Sequence, residues 1–173
     1  PCDYNQTKAA TIAIAEHEGP VYLRFGRPTV PVFIPEDMPF EIGKGIMLQE
    51  GTDVTIVATG HLVWESLVAA DELEKEGISC EVINIHTIKP LDEEIILKSV
   101  EKTGKIVTAE EHNYLGGMGE SIAGMLARRR PTRQEFVAVN DTFGESATPA
   151  ELMKKYKIDS DAVQEAVKRI LDK

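Results

Sequence analysis

Short apolar runs alternate with amphipathic segments along most of this chain, and this alternation limits the folds open to it. Residues 54–58 form a continuous run rich in β-branched side chains, which is typical of a strand covered on both faces. Residues 62–76 place their apolar side chains on one helical face, and Gly77 follows where a helix commonly ends. This alternation with short links predicts a mostly parallel sheet with right-handed crossovers and helices on both faces. The pattern predicts strands at 46–48, 54–58, 80–84, 106–109 and 136–139, and helices at 62–76, 90–102, 119–129, 149–156 and 160–171.

The first 41 residues follow a different pattern. Apolar residues recur at helical spacing over residues 7–18, Gly19-Pro20 ends that segment, and residues 21–25 predict a short strand. A cluster of prolines then excludes a helix or a central strand and predicts an extended connector, with a domain boundary near residues 28–41. Because the chain begins with Pro1 and opens into a helical pattern, we expect it to be a piece of a longer polypeptide.

The 173-residue chain carries 19 basic and 29 acidic residues, a formal net charge of −10. This balance argues against nucleic acid or an anionic membrane surface as the main partner, because both are bound by clustered lysine and arginine. Two cysteines, Cys2 and Cys80, are too few for a disulfide framework, and a reduced cytoplasmic setting fits. No apolar stretch approaches the ~20 residues that a membrane span needs.

Histidines stand at the ends of several predicted strands, where ligands bind in an open parallel sheet. His61, His86 and His112 each follow a different strand. Two interpretations are open: an acid–base or metal cluster, or a surface that packs on a neighbouring domain. None of the three is spaced as His-x-x-His or His-x-x-x-His, so we favour the interface and expect no metal site.

Two further features could bind an anion. The turn at residues 116–119, Gly-Gly-Met-Gly, resembles a phosphate-binding turn at a helix N-terminus, although it follows its strand too late for a dinucleotide fingerprint. We favour the other interpretation of these glycines, a close approach of helix and loop. Arg24 and Arg27 flank Phe25-Gly26 and could hold a phosphate or carboxylate through bidentate hydrogen bonds.

Five stretches, in the same order along the chain, resemble the C-terminal part of transketolase, especially the form that is split into two subunits. They are residues 19–24 (GPVYLR) with Arg27-Pro28, residues 57–61 (VATGH), residues 88–92 (IKPLD), residues 110–113 (EEHN) running into 116–120 (GGMGE), and residues 141–146 (DTFGES). Two related families share the architecture: 1-deoxyxylulose-5-phosphate synthase and the beta subunits of 2-oxo acid dehydrogenases. Glu111-His112 and residues 143–146 look most like transketolase.

The resemblance implies a fold and a division into domains. Residues 42–173 would form a three-layer α/β/α sandwich around a five-stranded, mainly parallel sheet, the C-terminal domain of the family. Residues 1–34 would be the end of the pyrimidine-binding domain, and residues 35–41 a linker.

The resemblance also implies an activity, the transfer of a two-carbon ketol unit between sugar phosphates, as in the pentose phosphate pathway. The full enzyme of this family uses thiamine diphosphate and a divalent metal such as Mg²⁺. This chain has neither the Gly-Asp-Gly metal motif nor the region of the activating glutamate. We therefore expect it to be inactive and free of cofactor alone, and to need a missing N-terminal portion or subunit in an assembly that is a homodimer.

One binding residue carries over from the family. Arg27, followed by Pro28, matches the arginine that grips the substrate phosphate, whereas Arg24 has no such counterpart. The family assigns no catalytic residue to this domain, which favours an interdomain or dimer contact for its strand-end residues. The candidate interface or anion-site residues are His61, His112, Gly117 and Gly119. Two alternatives stay open. One is the tail of a related thiamine-diphosphate enzyme, either 1-deoxyxylulose-5-phosphate synthase or a 2-oxo acid dehydrogenase beta subunit. The other is a non-catalytic assembly or regulatory module that binds a small anion at the glycine turn.

Overall fold

The computed structural model describes residues 1–172, which form a five-stranded sheet and six α-helices. The elements are α1 (Tyr4–Ala15), β1 (Ile46–Gln49), β2 (Val54–Ala58), α2 (Leu62–Lys75), β3 (Cys80–Asn84), α3 (Glu93–Thr103), β4 (Lys105–Asn113), α4 (Met118–Arg129), β5 (Arg133–Val139), α5 (Pro149–Lys155) and α6 (Ser160–Ile170). The sheet order is β1-β3-β2-β4-β5, so β2 is the central strand and lies between β3 and β4.

The sheet is mixed but mainly parallel, which confirms the predicted fold class. β2 is parallel to both β3 and β4, and β4 is parallel to β5, whereas the edge strand β1 is antiparallel to β3. Ile56 in β2 lies opposite Val82 in β3 and Val107 in β4. The parallel pairing brings the carboxyl ends of β2, β3 and β4 to one edge of the sheet.

Helices cover both faces of the sheet, so there are two apolar cores. Ile56 belongs to the core that includes residues of α2 and α6, and its neighbour Val57 belongs to the core that includes residues of α3 and α4. Successive side chains of a strand point to opposite faces, so a strand between two helical layers has buried side chains on both faces and is mainly apolar. Every residue of β2 and β3 is buried, and each large apolar side chain removed from water contributes about 1.5–3 kcal/mol.

The N-terminal helix α1 is held to the domain through Asp3. Its carboxylate accepts hydrogen bonds from the backbone N–H of Gln6 at 2.8 Å, which caps α1, and from those of Phe33 and Ile34 at 2.9 and 2.8 Å. Phe33 also packs on Trp64 of α2, with ring centroids 5.4 Å apart. The first residues and the connector therefore pack on the same core as α2 and α6.

Five local predictions differ from the structure by three residues or more. β5 begins at Arg133 and not at residue 136, and α3 begins at Glu93 and not at residue 90. Residues 21–25 form no strand, so that prediction is wrong: a strand needs a hydrogen-bonded neighbour, and in residues 1–172 no other strand lies beside this segment. β4 continues through Asn113 instead of ending at residue 109, because polar residues follow its apolar run without a turn. The first helix spans Tyr4–Ala15 and not residues 7–18, because Asp3 caps it earlier.

Among the described residues there is no helix long and apolar enough to cross a membrane.

Candidate functional site at the carboxyl ends of the strands

A cleft of about 670 Å³ lies between the N-terminal residues and the carboxyl ends of β2, β3 and β4. All four histidines of the chain line it, His17 from beyond α1 and the other three from the ends of the strands. The predicted convergence of His61, His86 and His112 on one edge of the sheet is therefore seen in the structure. The three imidazoles have different partners within the described residues.

His61 pairs with Glu111. Its Nδ1 lies 3.2 Å from Glu111 Oε2, and its side chain is only 14% exposed, against 50% for that of Glu111. The hydrogen bond from His61 is the main reason that the pKa of Glu111 lies below its usual value, and the positive charge of Arg24 adds to the effect. His61 lies in the loop between β2 and α2, and Glu111 lies in β4, the strand that pairs with β2. The pair therefore joins the loop after β2 to the neighbouring strand.

His86 is half-buried and its ring is fixed by two neighbours. Its ring stacks on Phe40 with centroids 4.2 Å apart, and its Nδ1 lies 3.0 Å from the hydroxyl of Thr87. Burial is the main cause that lowers the pKa of His86 from 6.5 to about 4, so the imidazole is neutral at pH 7. A neutral, stacked histidine is suited to packing more than to proton transfer near neutral pH.

His112 faces solvent. Its Nδ1 lies 2.7 Å from the backbone carbonyl oxygen of Asn113, the next residue. Asn113 in turn donates from its amide to Asp141 at 3.1 Å, which links β4 to the loop after β5. His112 is therefore available to a partner surface, as the interface hypothesis requires.

The glycine turn before α4 is closed by a carboxylate of the chain itself. Glu110, which is 3% exposed, accepts hydrogen bonds from the backbone N–H of Met118 and of Gly119, both at 2.7 Å. A Cβ on Gly117 would lie 2.5 Å from Glu110 Oε1, and a Cβ on Gly119 would lie 2.7 Å from the hydroxyl of Thr108. These glycines thus permit the close approach of helix and strand, and the amides of the first turn of α4 already bind an anionic group.

The two arginines occupy different positions. Arg24 lines the cleft and lies near enough to Glu111 for its charge to be felt there. Arg27 is exposed, lies beyond the lining of the cleft, and forms no hydrogen bond or ion pair with residues 1–172. Its guanidinium is therefore free of an internal carboxylate.

The described residues offer no metal centre and no activated thiol. Within residues 1–172 no group of three or more His, Cys, Asp or Glu side chains is placed to hold a metal ion. Cys2 and Cys80 are buried, and burial is the main cause that raises the pKa of each thiol to about 12. Neither cysteine is a nucleophile at neutral pH.

Sequence reasoning missed three relationships here. The sequence singled out residues 110–113 but did not indicate a role for Glu110 or a contact of Glu111 with His61. The available signal was the position of two adjacent acids directly after an apolar strand, where alternation places one side chain inside and the next outside. It also missed Gly26, which packs directly against the ring of His61.

Three comparisons place the chain among known proteins. It is 40% identical over 173 residues to the 6-deoxy-6-sulfo-D-fructose transketolase subunit SqwH of Clostridium sp. (strain MSTE9), covering 100% of this chain and 54% of that protein. It is 41% identical over 175 residues to a putative transketolase C-terminal section of Methanocaldococcus jannaschii, covering 99% of this chain and 54% of that protein. A solved split-gene transketolase, described as an inactive β4 tetramer, superposes with a TM-score of 0.96 at 45% identity, over 99% of this chain and 56% of the other.

The chain thus spans about half the length of the curated relatives that it matches. Residues 43–163 match the sequence profile of the family described as "Transketolase, C-terminal domain", which is most of the sheet and its helices. The match in sequence and the superposition in structure agree with the motifs and the sheet order described above, and the chain belongs to the transketolase C-terminal domain family.

Proposed function

We propose that this chain is the C-terminal portion of a split transketolase, which transfers a two-carbon ketol unit between sugar phosphates once it is assembled with an N-terminal portion. One observation carries the proposal: the chain aligns over its whole length with a transketolase subunit and a transketolase C-terminal section, and spans 54% of each. The proposal includes the division into residues 1–34, 35–41 and 42–173. A cytoplasmic location and a role in the pentose phosphate pathway belong to the same proposal and rest on the resemblance alone.

The surface of the N-terminal residues supports a partner of this kind. Several large apolar side chains there face solvent, among them Tyr22 at 86%, Tyr4 at 69% and Phe25 at 61% exposure. Exposed apolar groups in one part of a chain are typical of a surface that another protein covers. We propose that the N-terminal portion of the enzyme covers this surface and that two such units form a dimer.

The described residues do not fit thiamine diphosphate and its metal ion. A metal-bound diphosphate needs a set of oxygen ligands, and residues 1–172 hold no suitable acidic cluster. The amides at the start of α4, which could otherwise bind a phosphate, are taken by Glu110. We therefore place the cofactor on the N-terminal portion of the assembly and derive no step of the reaction on this chain.

Arg27 is proposed to bind the phosphate of the sugar substrate. Its guanidinium is exposed and lacks an internal partner among the described residues, as a substrate-binding group must. A guanidinium suits a phosphate because its paired N–H groups match two phosphate oxygens. We assign His61 and His112 to the interdomain surface at the strand ends. Gly117 and Gly119 are buried and are proposed to support that surface from within, because they allow α4 to pack closely on β4.

The test is reconstitution with the companion N-terminal polypeptide. The mixture should transfer ketol units from xylulose 5-phosphate to ribose 5-phosphate when thiamine diphosphate and Mg²⁺ are supplied, and the chain alone should not. The described inactivity of the related β4 tetramer supports the second expectation. Consumption of pyruvate in place of xylulose 5-phosphate would favour one of the related families, and no turnover of either donor would overturn the proposal.

A further inference from the structure

The segment that carries Arg27 is long and weakly held. Residues 18–32 form no helix or strand, and within the described part of the chain they make no hydrogen bond. The segment is fixed at both ends, by α1 before it and by the bonds of Phe33 and Ile34 to Asp3 after it. Without a contact in between, the position of Arg27 would not be determined.

Such a contact exists at Gly26. The ring of His61 lies so close to the Gly26 backbone that an added Cβ would come within 2.4 Å of Cε1 and 2.5 Å of Nε2. The φ angle of Gly26 lies outside the left-handed region, so the need for glycine here is one of space and not of backbone conformation. Gly26 immediately precedes Arg27, so the ring of His61 limits where Arg27 can lie.

His61 is itself held in place. Its Nδ1 lies 3.2 Å from Oε2 of Glu111 on β4, and its backbone precedes the first residue of α2, where Leu62 and Val63 are fully buried. The lowered pKa of Glu111 keeps this carboxylate ionised as a hydrogen-bond acceptor at neutral pH. The ring is thus fixed between a strand on one side and the Gly26 backbone on the other.

We propose that His61, oriented by Glu111, is a positioning residue that holds the residue 18–32 segment against the strand ends at Gly26 and so sets the position of the Arg27 guanidinium. The inference rests on the proposed role of Arg27 in binding substrate phosphate. His61 and Glu111 act through Arg27 and touch no reacting atom.

The first experiment uses the free chain and does not depend on activity. Trypsin can cleave the Arg24–Phe25 bond, whereas Pro28 protects the bond after Arg27. We expect His61→Ala and Glu111→Gln to accelerate cleavage after Arg24 several-fold, because the segment is released. Glu101→Gln, an exposed carboxyl on α3, is the matched control and should cleave at the rate of the unaltered chain. Equal rates for all four proteins would overturn the inference.

The second experiment uses the reconstituted enzyme. His61→Ala should raise KM for the phosphorylated aldose several-fold with little change in kcat, and should leave KM for an aldose without phosphate unchanged. The same substitution in an Arg27→Ala background should add no further increase. Equal effects on both aldoses, or additive effects in the double variant, would contradict the positioning role.

A compensating pair separates the contact from a general structural effect. Gly26→Ala should displace the His61 ring and raise KM in the same way, whereas Gly26→Ala together with His61→Ala should be no worse than His61→Ala alone. If the KM of the double variant is higher than that of His61→Ala, Gly26 acts otherwise and the inference fails.

Absence of ketol transfer in the unaltered complex would instead overturn the proposed function, and the cleavage experiment would still decide whether His61 holds the segment.

Discussion

Oε1 of Glu110 lies 2.7 Å from the backbone nitrogen of Gly119, so a buried carboxylate of β4 caps the first turn of α4. Its other oxygen accepts from Met118. Hydrogen bonds to a charged group at a helix N-terminus are stronger than neutral ones, since they satisfy unpaired amides and oppose the helix dipole. This contact joins the candidate site to the core of the domain.

Replacing Glu110 should therefore destabilise the chain. Glu110→Ala should lower the free energy of unfolding by on the order of 3 kcal/mol, because two buried amides lose a charged acceptor. Glu110→Gln should cost less, since an amide oxygen can still accept one bond. Urea denaturation of the free chain measures both, with Glu101→Gln as the control. A loss below about 1 kcal/mol in Glu110→Ala would show that the cap contributes little.

Two glycines in the same helix should respond in opposite directions to alanine. A Cβ on Gly119 would lie 2.7 Å from the Thr108 hydroxyl and 2.8 Å from the Phe136 ring, so Gly119→Ala should destabilise the chain by about 1–3 kcal/mol. A Cβ on Gly124 would come no closer than 3.6 Å, to Arg128, and alanine there should stabilise α4 by about 0.5–1 kcal/mol. Thermal or urea denaturation measures both, and a loss of stability in both variants would contradict the packing described for Gly119.

Loss of the Asp3 carboxylate should release the connector. Asp3→Ala removes the N-cap of α1 and the acceptor for Phe33 and Ile34, at a cost on the order of 3 kcal/mol. Amide hydrogen exchange should accelerate at Phe33 and Ile34, while β2 and β3 stay protected. Asp37→Ala, an exposed aspartate in the same connector, is the control. Unchanged exchange at Phe33 and Ile34 would show that other contacts hold the connector.

The half-buried imidazole of His86 should make stability fall in mild acid. Because burial lowers its folded pKa from 6.5 to about 4, the unfolded chain binds a proton between these pH values that the folded chain does not. This contribution to stability is complete above pH 6.5 and is lost as the pH falls toward 4. His86→Phe keeps a ring to stack on Phe40. The urea midpoint of this variant should change less between pH 7 and pH 5 than that of the unaltered chain. An identical pH dependence in both proteins would contradict a neutral His86.

Arg27→Ala should weaken the binding of phosphorylated sugars in the reconstituted enzyme. Loss of a charged hydrogen bond costs about 1.5–3 kcal/mol, or roughly 10- to 150-fold in KM. The KM of Arg27→Lys should lie between those of the unaltered enzyme and Arg27→Ala, since lysine keeps the charge but not the paired N–H groups. Arg130→Ala, an exposed arginine just after α4, is the control for the loss of a positive charge. An unchanged KM would remove Arg27 from the binding site.

The elements that could be predicted from the sequence are those whose pattern is local. The predicted bounds of β2 and β3 agree with the observed Val54–Ala58 and Cys80–Asn84, because strands between two helical layers carry apolar residues on both faces. Motifs in a fixed order then indicated the family, which the comparisons confirm. The predicted strand at residues 21–25 was wrong, because a strand forms only beside a hydrogen-bonded neighbour and its own residues do not supply one.

The site could be predicted only as a location. Alternating elements determine that the residues after β2, β3 and β4 meet at one edge of a parallel sheet, and the sequence alone was enough to place the strand-end histidines there. Which histidine pairs with which acid depends on the strand order β1-β3-β2-β4-β5, because only neighbouring strands bring side chains within hydrogen-bond distance. Tertiary structure therefore decided that His61 meets Glu111 and Gly26, and that Glu110 turns inward to α4.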